Sequence, residues 1–157
     1  LRSAHMLGNE EEIIFTATDL LADTKLAPEL SNEAHYYRAK AYLDAGKTDG
    51  AMEDLKILAK DTRNVYGAEA KYKVAQIYFD GGQTDKAEQE VLNYIEVSTP
   101  HTYWLARSFV LLADVYMKSG RNLDAKQYLL SLKQNYQADD DIAGMIESRL
   151  EKLKTEN

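Results

Sequence analysis

The strongest constraint on the fold is a pattern of residues that occurs three times along the chain. It is anchored on Gly46, Gly82 and Gly120. An alanine stands seven residues before each glycine, a tyrosine four before, an alanine five after and an aliphatic residue nine after: Ala39, Tyr42, Ala51 and Leu55, then Ala75, Tyr78, Ala87 and Val91, then Ala113, Tyr116, Ala125 and Leu129. Four residue types at four fixed offsets are not expected by chance, so the chain is predicted to consist of repeated units.

Apolar residues between the glycines recur with a period of about 3.6, which indicates amphipathic helices and not strands. Each glycine is expected to end one helix, because that position favours left-handed backbone dihedrals. The polar residues Thr48, Thr84 and Asn122 follow and are predicted to be the N-caps of the next helices. Each repeat is therefore predicted to be a hairpin of two antiparallel helices, and the fold class to be all-α.

The glycine anchors divide most of the chain into three predicted repeats, at residues 30–63, 64–99 and 100–137. Residues 9–26 are predicted to form the second helix of a truncated preceding repeat, because Ala17 and Leu21 have the spacing of Ala51 and Leu55. Residues 139–155 are predicted to form a C-terminal capping helix with a polar outer face. Residues 1–8 contain a His5-Met6 pair typical of a cloning site, so they are expected to be a vector remnant, or else a disordered terminus.

Paired helices with a small residue and a tyrosine in the first, then an alanine and an aliphatic residue in the second, resemble the tetratricopeptide repeat. The resemblance covers about 110 residues, from Asn32 to Gln137. The spacing is two to four residues longer than the usual 34, and the usual aromatic residue near the start of the first helix is present only as Phe109. The resemblance implies a right-handed α-solenoid of about seven helices that forms one domain.

In this family the first helices of the repeats line a concave groove that binds peptides or partner helices. Carried onto this chain, the resemblance implies a groove formed by five residues of each repeat: Glu33, Tyr36, Lys40, Leu43 and Asp44, then Glu69, Tyr72, Gln76, Phe79 and Asp80, then Arg107, Val110, Asp114, Met117 and Lys118. Aromatic and methionine side chains among charges of both signs favour protein recognition. The alternative is that Tyr36, Leu43 and Tyr72 belong to the core and that the charged residues form a solvated face.

No pattern in the sequence points to catalysis or to a bound cofactor. The chain has no cysteine, and His35 and His101 have no second histidine at a metal-ligand spacing, so neither a metal site nor a cofactor is expected. No phosphate-binding or dinucleotide-binding loop is present. Carboxylate pairs such as Glu53-Asp54 are expected on helix exteriors, paired with lysine. We therefore expect a protein that is not an enzyme.

Charge and hydropathy restrict the class of partner. The chain carries 26 acidic and 19 basic residues, a net charge of −7, which argues against nucleic acid as a partner. Apolar runs of about five residues are too short for membrane insertion. The predicted function is a protein-interaction module or scaffold, a fragment of a longer repeat protein, with protein or peptide partners.

The alternative function is a structural spacer or self-association segment. It would act through the ends of the solenoid, where an apolar face of the first helix lacks a partner and is expected to form a homodimer: Ile13, Ile14, Leu20 and Leu21. A third hypothesis is a regulatory domain attached to an upstream enzyme. The longer repeats are similar to those of bacterial envelope proteins, which favours the cell envelope or periplasm as the location, with the cytoplasm as the alternative.

Overall fold

A computed structural model of the chain describes residues 4–155. These residues form eight α-helices joined by turns, with no strand among them. The helices are α1 (Ala4–Leu21), α2 (Pro28–Asp44), α3 (Thr48–Leu58), α4 (Val65–Asp80), α5 (Thr84–Val97), α6 (Thr102–Lys118), α7 (Asn122–Asn135) and α8 (Ile142–Thr155). The predicted all-α class is confirmed, with one helix more than the expected seven. The handedness of the solenoid stays a prediction.

The chain divides into two compact units, and the boundary between them falls inside α4. The first unit ends at Val74 and the second begins at Ala75. In the first unit, α2 packs against both α1 and α3. In the second unit, α6 packs against α5, α7 and α8, and α7 also packs against α8. Helices that follow one another along the chain therefore pack together within each unit, as expected for hairpins joined by short turns.

The three anchor glycines end helices as their spacing predicts. The φ values are 76° at Gly46, 79° at Gly82 and 77° at Gly120. This left-handed region is unfavourable for residues that have a Cβ atom. The next residue then closes the helix end, as when the backbone N–H of Lys47 donates to the carbonyl of Tyr42 at 2.7 Å. The same contact follows the other two glycines, at 2.8 Å in both cases.

The prediction that Thr48, Thr84 and Asn122 are N-caps is wrong by one position. The helices already begin at these residues, and the residues before them make no side-chain cap hydrogen bond. The reason is the helix end that precedes them: one residue after the glycine is enough to reverse the chain, so the next residue already takes helical dihedrals.

The repeat tyrosines hold the two helices of a hairpin together. A Cβ atom added at Gly50 of α3 would lie 3.1 Å from the ring of Tyr42, so the ring rests directly on the second helix. In the third repeat, the guanidinium of Arg121 lies 4.2 Å from the ring centre of Tyr116. Each ring covers the start of the second helix, which explains why a large planar side chain recurs at this offset.

Helix α1 differs in its bounds from the helix predicted over residues 9–26. Of the segment expected to be a vector remnant, residues 1–3 lie outside the described residues and residues 4–8 are part of α1. The helix ends at Leu21 because the Asp23 carboxylate accepts the backbone N–H of Lys25 at 2.9 Å and forms a turn. Pro28 then begins α2, since its missing N–H has no role in the first helical turn.

The alkaline stability of the chain is expected to depend on Tyr94. Its side chain is fully buried, and burial raises its pKa from 10.0 to about 12. Between pH 10 and 12 the unfolded chain therefore loses this proton while the folded chain keeps it, so stability falls as pH rises. Tyr94→Phe should reduce the loss between pH 9 and 12 by about 2 kcal/mol, as measured by urea unfolding at each pH.

Two comparisons make this measurement specific to Tyr94. Part of the alkaline loss should persist in the variant, because the pKa values of Tyr36 and Tyr136 are also raised to about 12. Leu123→Ala, at an exposed side chain of α7 without a titratable group, serves as the control and should leave the pH dependence of wild type unchanged. An identical pH dependence in Tyr94→Phe and wild type would contradict the assignment.

Candidate functional site

A groove in the second unit, here called the α6–α8 groove, brings together part of the predicted site. It is formed by the last turn of α4, the last turns of α6 and the middle of α8. Its volume is about 540 Å³, and its lining residues are Phe79, Asp114, Met117, Lys118, Ser148, Arg149 and Lys152. A cavity of this size is typical of a site for a small ligand or for a few side chains of a peptide.

An ion pair fixes the position of α8 beside α6. The Nε atom of Arg149 donates to Oδ1 of Asp114 at 2.7 Å, and Nη2 donates to Oδ2 at 3.0 Å. The Nη1 atom of Arg149 donates to the carbonyl of Met145 one turn earlier on α8, at 3.1 Å. A two-pronged pair between a planar guanidinium and a carboxylate has a defined geometry. Asp114 and Arg149 therefore compensate each other in charge and form a rigid wall of the groove.

The remaining lining residues give the groove an apolar base and basic edges. Phe79 and Met117 are half-buried, so part of each side chain faces the opening. Lys118 and Lys152 are exposed, and the ammonium of Lys118 lies 5.5 Å from the ring centre of Phe79. With the Asp114 carboxylate already paired, the charge that the lining offers to a ligand is positive. The arrangement suits a ligand with an apolar side chain next to carboxylates.

Four of the residues predicted from the sequence line this groove: Phe79, Asp114, Met117 and Lys118. Three further lining residues, Ser148, Arg149 and Lys152 of α8, were not predicted from the sequence as part of the site. These three residues lie within one turn and a half of α8, and Arg149 and Lys152 belong to the polar outer face predicted for the capping helix. The pattern that could have revealed them is Met145, Arg149 and Lys152 at spacings of four and three, which places them on one face.

Four other predicted residues of the second unit lie outside this lining. Gln76 donates from Nε2 to Oδ1 of Asp80 at 2.8 Å, so the two side chains pair along α4. Arg107 donates to the hydroxyl of Tyr103 at 3.4 Å, one turn earlier on α6. Val110 is buried. Each of these two hydrogen bonds joins side chains of the same helix.

In the first unit, three predicted residues meet at Tyr36. The Tyr36 hydroxyl donates to the carboxylate of Glu69 at 3.0 Å, and the ammonium of Lys40 lies 5.5 Å from the ring centre. Partial burial and the Glu69 charge raise the pKa of Tyr36 to about 12. The Glu69 carboxylate also pairs with Lys73 at 2.6 Å. These side chains hold α2 and α4 together, as the alternative of a core role for Tyr36 predicted.

The last four predicted residues differ from one another in burial. Tyr72 is buried and Leu43 is half-buried, which agrees with the core alternative for both. Asp44 is exposed as the last residue of α2. Glu33 lies in a different groove, between α1 and α2.

His35 belongs to a buried network that sequence reasoning missed. Asp54, predicted on a helix exterior, is 1% exposed and accepts hydrogen bonds from His35 Nδ1 at 2.8 Å and from Arg38. The bond to Asp54 raises the pKa of Arg38 above its ordinary value. The exterior position predicted for Asp54 is therefore wrong, because its carboxylate is buried against His35 and Arg38 of α2. Among residues 4–155 no three acidic or histidine side chains form a metal-binding group.

Comparison with known proteins identifies the repeat. Residues 33–61, which include most of α2 and all of α3, match a family model described as a tetratricopeptide repeat. The match confirms a tetratricopeptide repeat at residues 33–61, and the repeats at residues 64–99 and 100–137 stay predictions. No curated protein and no solved structure matches the chain. None of the helices described here has both the length and the apolar character needed to cross a membrane.

Proposed function

Because residues 33–61 form a tetratricopeptide repeat, a module that in general binds proteins and is not an enzyme, we propose that this chain binds a peptide of a partner protein in the α6–α8 groove. The ligand is a short segment that places an apolar side chain against Phe79 and Met117. Carboxylates beside that side chain lie near Lys118 and Lys152. The general role in protein–protein interaction follows from the repeat, and the groove and the ligand chemistry are the proposal.

One observation carries the proposal: the groove combines accessible apolar surface with two exposed lysines whose charge nothing in the lining compensates. Asp114 is the acidic residue of the lining, and Arg149 occupies both of its carboxylate oxygens. Burying a ligand side chain on the half-buried Phe79 and Met117 supplies affinity. The two lysines favour acidic over basic ligands and increase the rate at which an acidic ligand associates with the protein.

Selection from a library of displayed random 12-residue peptides tests this function. Wild type should recover peptides with one large apolar residue flanked by Asp or Glu. Phe79→Ala/Met117→Ala should recover them at least about tenfold less well, because truncating central contact residues removes more than 1 kcal/mol of binding energy. Leu123→Ala, at an exposed leucine of α7, is the matched control and should select as wild type does. Equal recovery by all three proteins would refute the proposal.

Self-association through α1 is a second candidate function. Ile13 and Leu20 are exposed on α1, which favours it, whereas Ile14 and Leu21 are half-buried and offer less surface. The acidic residues around this face, among them Glu11, Glu12 and Asp19, oppose pairing of two copies.

Two further expectations are part of the same proposal. The chain is a piece of a longer repeat protein, which is supported by the general occurrence of such repeats in arrays. Its location is the bacterial cell envelope or periplasm, a reading that rests on the length of the repeats. Immunodetection of the native protein in cell fractions checks both, because it reports the compartment and the molecular mass together.

A further inference from the structure

An apolar groove on the first unit, here called the α1–α2 groove, is separate from the site proposed above. Its volume is about 530 Å³, and its apolar lining consists of Ile13, Ala17, Leu20, Leu30, Ala34 and Tyr37. The four large side chains among them are between 43% and 52% exposed. Asn9, Glu12, Thr16 and Glu33 complete the lining. Large apolar side chains at such exposure, gathered in one groove, are typical of an interaction surface.

The side of the groove formed by α2 has the register of a helix–helix contact. Leu30 and Glu33 lie 36 residues before Tyr66 and Glu69, which occupy the same positions of the next repeat. On α4, both of those residues contact Tyr36 of α2: the Tyr66 ring centre lies 4.5 Å from that of Tyr36, and Glu69 accepts its hydroxyl. A first helix of a repeat thus uses these positions to contact the first helix of the preceding repeat. On α2 the same positions line the groove.

The side of the groove formed by α1 also has the register of a helix–helix contact. In α3, the residue three after the repeat alanine is Asp54, which bonds to His35 and Arg38 on the first helix of its own hairpin. The residue three after Ala17 in α1 is Leu20, which lines the groove. Leu20 therefore occupies the position that faces the first helix of a hairpin. The α1 wall and the α2 wall of the groove therefore both present positions that contact the first helix of a hairpin elsewhere in the repeats.

The charge around the groove indicates what kind of helix fits. Residues 9–34 contain seven acidic residues and one basic residue, Lys25. Glu12 and Glu33 are part of the lining itself. A second copy of α1 would bring the exposed carboxylates of Glu11, Glu12 and Asp19 towards them, and like charges at a contact oppose binding. The occupant that this surface favours is basic.

We infer that the α1–α2 groove binds an amphipathic helix of a partner protein that carries an aliphatic stripe flanked by lysine or arginine. The helix runs antiparallel to α1 and takes the place of the first helix of a hairpin. Its stripe, spaced three and four residues apart, packs on Ile13, Leu20 and Leu30, and its basic residues lie near Glu12 and Glu33.

Two labelled 18-residue model peptides test this inference on the full chain. Both carry leucines at spacings of three and four; one has lysine and arginine beside the stripe and the other has glutamate. Fluorescence anisotropy should show the basic peptide binding at least about tenfold more tightly, with an affinity that falls as salt is raised. Leu20→Asp should abolish binding, whereas Leu123→Asp, an equally drastic change at an exposed leucine of α7, should not.

Because Leu20 is exposed, its substitution should leave the helical circular dichroism intact, so loss of binding reports on the surface. Failure of the basic peptide to bind, or equal binding of both peptides, would overturn the inference. Sedimentation velocity adds one further outcome. If wild type is a dimer that Leu20→Asp dissociates, the occupant is a second copy and the inference is wrong. A monomeric wild type that binds the basic peptide supports it.

Discussion

Replacing Asp54 with alanine should lower the free energy of unfolding by about 3–5 kcal/mol, because the change strips a buried ion pair of one partner. The carboxylate is 1% exposed. It accepts from Arg38 Nη2 at 2.6 Å and Nε at 2.8 Å, and from His35 Nδ1 at 2.8 Å. Alanine would leave the guanidinium partly buried without its counter-charge and would open a gap between α2 and α3. Guanidinium chloride unfolding, followed by circular dichroism, measures the loss.

The neighbouring Glu53 supplies the control for this prediction. It is exposed on the same helix, so Glu53→Ala should change stability by less than about 0.5 kcal/mol. Arg38→Ala should approach the effect of Asp54→Ala, and the double variant should cost much less than the sum of the two. Additive losses, or an Asp54→Ala variant as stable as Glu53→Ala, would show that this network does not hold the first hairpin together.

Replacing Gly67 with alanine should cost about 3 kcal/mol or more, since it forces atoms into a space that backbone already fills. A Cβ atom at this position would lie 1.9 Å from the carbonyl oxygen of Asp61 and 2.6 Å from that of Leu58. Neither obstacle is a side chain that can rotate away. The start of α4 would have to move from the end of α3. Thermal and denaturant unfolding should both show the loss.

Gly144→Ala is the matched control for this backbone contact. Nothing lies within 4 Å of a Cβ atom added there, and the residue is in the first turn of α8. Alanine forms helix more readily than glycine, so this variant should keep its stability or gain up to about 1 kcal/mol. Equal stability of the Gly67→Ala and Gly144→Ala variants would contradict the close approach of α3 and α4.

The sequence predicted the hairpins because their determinants are local. Three determinants lie within about one turn of a helix end: a glycine in the left-handed region, a tyrosine four residues before it and an alanine five after it. Their spacing in the sequence is therefore enough to predict the turn between the two helices. The boundary of α1 was less predictable, since Asp23 and Lys25 form a turn in a segment whose apolar residues continue the helical period. The helical spacing of the apolar residues on α1 also predicted that Leu20 is part of an apolar surface.

What the sequence did not reveal depends on contacts between distant residues. Asp54 is an ordinary acidic residue in a helical segment until His35 and Arg38, 19 and 16 residues earlier, are placed beside it. The part that α8 plays in the α6–α8 groove depends in the same way on the pairing of Arg149 with Asp114, 35 residues apart. A pattern of residue types carries little information about such pairs.

The central claim, that the α6–α8 groove binds an acidic peptide with an apolar anchor, is tested most directly by calorimetry. A peptide recovered by the selection is titrated into wild type, into Lys118→Glu/Lys152→Glu and into Lys60→Glu/Lys126→Glu. The two control lysines are exposed, lie outside the lining of the groove and make the same change in net charge. We expect wild type and the control to bind alike and the first variant to bind at least about tenfold more weakly, with an intact helical spectrum. Equal affinity of all three proteins, or an equal loss in both variants, would contradict the claim.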